Sequence, residues 1–163
     1  MRTAISATAF ALAMLGNGPA FSHGDAGVGR TPLDPAAVEP TSFGRAGDPG
    51  KATRTMRISM SDTMRFSPAL LTIKKGETVR LIVRNDGKVL HEMVLGTDAE
   101  LTKHADLMRR FPTMKHDEPH MVHVEPGQSG SFTWTFDRAG EFRFACLIPG
   151  HFQAGMVGTV VVR

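Results

Sequence analysis

One stretch near the C-terminus concentrates the residue types that bind soft metals: Cys146-Leu147-Ile148-Pro149-Gly150-His151-Phe152-Gln153-Ala154-Gly155-Met156. Cys146 is the only cysteine in the chain. Thiolate, imidazole and thioether are soft or borderline donors, and copper is the metal that favours the set. A trigonal His2Cys site with a weak axial Met needs one further histidine. His91, at the head of the apolar run His91-Glu92-Met93-Val94-Leu95-Gly96, is the strongest candidate. Taken singly, a lone Cys or Met reads as a core residue. Taken together at Cys-x4-His-x4-Met spacing, the donors point to copper.

The elements that must position these donors are strands. Residues 141–146 alternate polar and apolar, so a strand is expected to end at Cys146. Pro149-Gly150 predicts a turn that returns His151 toward the cysteine. Ala154 and Gly155 are small and leave room for Met156, and the β-branched run 156–162 predicts a final strand. A short loop between two strands can hold three donors rigidly, which suits one-electron transfer.

Cys-x4-His-x4-Met after a strand, with an earlier His, resembles the cupredoxins, most closely periplasmic cupredoxins linked to bacterial copper tolerance. The resemblance covers residues 56–163. It implies one type 1 copper bound by the positions matching His91, Cys146, His151 and Met156. Azurins and plastocyanins usually carry Asn after the first His, where this chain has Glu92, and often Ser or Thr after Cys, where it has Leu147. Those neighbours commonly hydrogen-bond around the site.

At 163 residues the chain is one domain plus extensions. A net charge of +3, from nearly balanced acids and bases, carries no nucleic-acid footprint. Arg2 followed by the short apolar run 4–15, a break at 16–19 and small residues at 20–22 reads as a secretory signal over residues 1–22, with cleavage before His23. The run is too short for the roughly 20 residues of a membrane helix, so no span is expected after cleavage. Export to the periplasm makes an odd cysteine a liability unless something binds it. Zinc is disfavoured without further paired Cys or His motifs, and the Cys-x-x-Cys-His of haem attachment is absent.

Residues 23–54 are rich in Gly, Pro, Ala and Asp without apolar period and predict a flexible tail. Residues 55–163 predict the cupredoxin domain. Strands are expected at 55–60, 70–74, 78–84, 91–95, 130–136, 141–146 and 156–162, with turns between them. This spacing predicts an all-β Greek-key sandwich or barrel. One short inserted helix is expected over residues 98–111, capped by Thr97 or Asp98, with Leu101, Ala105, Leu107, Met108 and Phe111 on one side and Pro112 ending it.

Met114, His116, His120, Met121 and His123 form a second dense group of donors. It is a candidate for a weaker second copper site, set against a solvated polar loop. Two functions follow: periplasmic copper handling in support of tolerance, or a diffusible electron carrier docking a redox protein through Pro149, Phe152 and Ala154. An enzyme is not expected. A trinuclear oxidase would need His-x-His and His-Cys-His motifs, and a dinuclear site a second loop Cys; the chain has none of these.

Overall fold

The computed structural model describes residues 34–112, 114 and 117–163. The expected signal, its cleavage point at His23 and His116 lie outside these residues. Among the described residues the strands are β1 (Arg45–Ala46), β2 (Arg54–Ser61), β3 (Arg65–Ser67), β4 (Leu70–Ile73), β5 (Glu77–Asn85), β6 (His91–Gly96), β7 (Met121–Val124), β8 (Ser129–Phe136), β9 (Gly140–Ala145) and β10 (Val157–Val162). Among the described residues one α-helix, α1 (Asp98–Arg110), lies between β6 and β7.

The strands form two five-stranded sheets, ordered β1-β8-β5-β2-β3 and β4-β10-β9-β6-β7. Pairing is antiparallel except for β2 with β5 and β4 with β10. Alternation explains the faces. In β5, Val79, Leu81 and Val83 are buried while Arg80 and Ile82 between them are half-buried. The buried faces meet in one core that includes Trp134, Phe136, Phe144, Ile58, Met60 and Leu81. This is the expected sandwich with one inserted helix.

β6 departs from alternation: all six of its residues are buried. One of its faces looks into the core and the other is covered by α1. Thr97 caps that helix in a capping box with Glu100, and acidic residues open it while Arg109 and Arg110 close it. Leu101, Ala105 and Met108 pack on Val94, Met121, Ala145 and Leu147. Leu107 and Phe111, expected on the same side, are instead 40% and 54% exposed. At about 100° per residue, Leu107 lies roughly 120° around the helix from Leu101, outside the buried stripe.

Two parts of the sandwich had no periodic signal. β3 is three residues long, yet it buries Phe66 edge-on against Phe144, with ring centroids 4.9 Å apart. The stretch expected as a flexible tail is built into the fold from Asp34 onward. β1 pairs with β8, and Phe43 stacks on Trp134 at 5.3 Å and accepts a hydrogen bond from its indole Nε1–H. A single aromatic anchor among Gly and Pro leaves no repeat to read. Among the described residues, no helix is long and apolar enough to cross a membrane.

Candidate metal centre

Cys146 follows the last residue of β9, and Met156 precedes the first of β10. The two are tied directly, the Cys146 N–H donating to the Met156 carbonyl at 3.1 Å. Between them the loop closes on itself through His151 N–H to Ile148 O, Ala154 N–H to Gly150 O and Met156 N–H to His151 O, all within 3.1 Å. Gly155 has φ of 83°, a left-handed conformation that a side chain would strain, and it turns the chain into Met156. Arg65 in β3 clasps the same end, its guanidinium donating to the Ala154 and Gly155 carbonyls.

His91 begins β6, in the same sheet as β9 and β10. Its approach is set by Asn85, fully buried at the end of β5. The Asn85 amide donates to the carbonyls of Val89 and Val124 and accepts from Gly87 N–H, so it folds the 86–90 turn that delivers the histidine.

These elements bring His91, Cys146 and His151 together, with their ligating atoms within 4.8 Å of one another. Cys146 Sγ lies 3.3 Å from His151 Nδ1 and 4.0 Å from His91 Nδ1. Cys146 and His91 are fully buried and His151 is half-buried, so the site lies just beneath the surface with one imidazole near solvent. Met156 is fully buried in the same core cluster as Cys146.

The far side of the His91 ring is fixed. Its Nε2 lies 3.1 Å from Asp62 Oδ1, leaving Nδ1 turned toward Cys146. Asp62 is itself held by the Lys88 N–H at 2.8 Å, and that bond leads in keeping its carboxyl below the usual range, with His91 adding to it. A carboxylate behind a ligating histidine sets its tautomer and orientation. Gly87 permits the contact, since a Cβ there would collide with the Asp62 carboxylate.

Burial pushes the Cys146 thiol up to about 12. A bare thiolate is therefore unfavourable here, and a bound cation would remove the cost by deprotonating the thiol outright. Burial, and then the neighbouring His91, hold the His151 imidazole below its ordinary value, which favours the neutral ligand form. Two imidazoles and one thiol in a small, largely buried triangle fit copper better than a hard cation. His91, Cys146 and His151 would hold the ion.

Of the other donors singled out in the sequence, His120 packs edge-on against Phe43 and Trp134, at 5.3 and 5.7 Å between ring centroids. Met121 is fully buried beneath α1, and His123 sits beside Glu92 on β6. Among the described residues, His91, Cys146 and His151 form the only trio of His, Cys or acidic groups gathered at ligand distances. Asp62, Arg65 and Asn85 were not singled out in the sequence. Each is a polar residue in or beside a turn, and nothing local marks it.

Comparison with known proteins gives a consistent picture. A family model described as copper binding proteins, plastocyanin/azurin family, matches residues 52–163. Copper-resistant cuproprotein CopI of Rubrivivax gelatinosus is 54% identical over 141 residues, 86% of this chain and 83% of that protein. The protein of the same name from Pseudomonas aeruginosa is 38% identical over 151 residues, 75% of this chain and 83% of its own. Among solved structures, auracyanin B superposes with a TM-score of 0.62 at 23% identity, covering 74% of this chain and 96% of that one. The dithionite-reduced auracyanin of Roseiflexus castenholzii gives 0.60 at 20% identity, over 69% and 98%. At such identities the solved structures speak for the fold alone.

Proposed function

Since the chain belongs to the plastocyanin/azurin family of copper-binding proteins, we propose that it is an exported, non-enzymatic protein that takes up copper in the periplasm and supports copper tolerance. His91, Cys146 and His151 would be the three strong ligands and Met156 a weaker fourth donor. The observation that carries this reading is the buried Cys146 thiol, 3.3 Å from one imidazole and 4.0 Å from another. A copper ion held there supplies a one-electron couple. The chain's own groups do the rest: the strand ends fix the ligands, Asp62 orients His91, and the buried surroundings exclude water from the thiolate. Tolerance is supported by the names of the two relatives, each a copper-resistant cuproprotein. Export is supported by the residue pattern of the first 22 positions.

The test pairs spectroscopy with genetics. The copper-loaded protein is expected to show an intense visible thiolate-to-copper band and the EPR signature of type 1 copper. A deletion strain is expected to grow poorly in added copper, and cell fractionation to place the protein in the periplasm. Normal growth under copper stress would remove the tolerance role.

A diffusible electron carrier is the second reading, favoured by the apolar surface at the site. Val89 and Leu90, just before His91, are 44% and 37% exposed, and Phe152 beside His151 is half-buried. Such a rim could dock a redox partner. Loss of respiratory electron flow in the deletion strain without added copper would favour this reading over tolerance.

A further inference from the structure

We propose that Glu92 and His123 form a charged lever behind the cysteine ligand. Glu92 positions the peptide that follows Cys146 and lowers the reduction potential of the copper site, and His123 governs how much of that charge the site feels. The proposal rests on the copper reading above and concerns two residues that do not themselves bind the ion.

Glu92 reaches the site twice. Its backbone N–H donates to Cys146 Sγ at 3.4 Å, and its carboxylate Oε1 accepts from Leu147 N–H at 2.8 Å. A single residue thus holds both the sulfur and the next peptide unit. The other oxygen, Oε2, lies 2.8 Å from His123 Nε2, a close contact without the alignment of a good hydrogen bond. The register enforces the pairing, because Glu92 and His123 stand directly opposite each other on β6 and β7.

Burial gives the pair its leverage. The Glu92 side chain is 1% exposed, whereas that of His123 is 37% exposed. A carboxylate so enclosed interacts strongly with nearby charge, because little water is present to screen it. Negative charge beside the metal stabilises the more highly charged oxidised ion more than the reduced one, which lowers the potential. A merely structural tether would need only an acceptor for Leu147 N–H, which a neutral amide supplies equally well.

Glu92→Gln separates charge from shape. The variant is expected to keep the visible band while its potential rises on the order of 59 mV, a tenfold change in the preference for Cu(II) over Cu(I). In the metal-free protein, amide exchange at Leu147 should stay slow in Glu92→Gln and quicken in Glu92→Ala. His123→Phe should move the potential in the otherwise unchanged protein and leave it still in the Glu92→Gln background. Should Glu92→Gln not fold, His123→Phe in the otherwise unchanged protein carries the test: its potential moves, and an unmoved potential overturns the lever. An unmoved potential in Glu92→Gln, or an equal His123→Phe shift in both backgrounds, overturns the lever. A wild-type protein without any visible band would instead remove the copper reading, and the lever with it.

Discussion

Two stretches of this chain set histidine and methionine close together, and they behave differently. In the loop from Cys146 to Met156, backbone hydrogen bonds close the chain on itself and direct the donors inward, where His91 meets them. From His120 into β7 the chain sends its side chains apart: His120 among the aromatic rings of Phe43 and Trp134, Met121 under α1 and His123 to Glu92. Composition is shared, whereas convergence depends on local backbone geometry. A tight loop can bring residues five apart to one point, while an extended strand holds residues two apart about 6.6 Å from one another.

Cys146→Ser would break the contrast most completely. The visible band should vanish, since it requires a copper–thiolate bond, and retention of the band would transfer the site elsewhere. Next in size is Asp62→Ala. With the His91 ring no longer held from behind, copper affinity should fall about 10–100-fold, measured by competition with a chelator. An unchanged affinity would mean that the loop alone orients the ligands.

Proton release sharpens the same point. With its thiol pushed up to about 12, Cys146 is protonated at neutral pH in the metal-free protein and must lose that proton to bind. His151, held below its ordinary value, is neutral there and adds none. Copper affinity should therefore weaken by about tenfold for each pH unit lowered near neutrality. Calorimetry in buffers of different ionisation enthalpy would read the proton directly, and a value near zero would contradict a buried protonated thiol.

Met156→Leu should keep copper and raise the potential, because a weak axial donor to the oxidised ion is lost. Complete loss of copper would make Met156 a principal ligand. The smallest effect is expected in the dispersed region. His120→Ala should cost about 1 kcal/mol through its lost ring contacts, seen in denaturant unfolding, with the visible spectrum unchanged. A spectral change there would connect the two regions after all.

Much of the centre was legible because its signal is local. Cys146, His151 and Met156 fall within eleven residues of sequence, between two alternating stretches that form β9 and β10. The helix was also legible through its cap, although the exposure of Leu107 shows that an apolar residue in a helical window need not face the core. The role of the stretch after Asp34 was not, because Phe43 acts through long-range contacts, above all with Trp134, a residue 91 positions away.

From sequence alone came the donor types, their spacing and the strand-rich pattern around them, since ligand chemistry and side-chain period are properties of short segments. Tertiary structure decided which polar residues stand behind the donors. Asp62 reaches His91 across 29 positions, and Glu92 reaches Leu147 across 55. An aspartate in a turn and a glutamate in an apolar strand look ordinary until sheet register places them. Register is set by the packing of the whole sandwich, so the surroundings of the metal centre follow from the fold rather than from any motif.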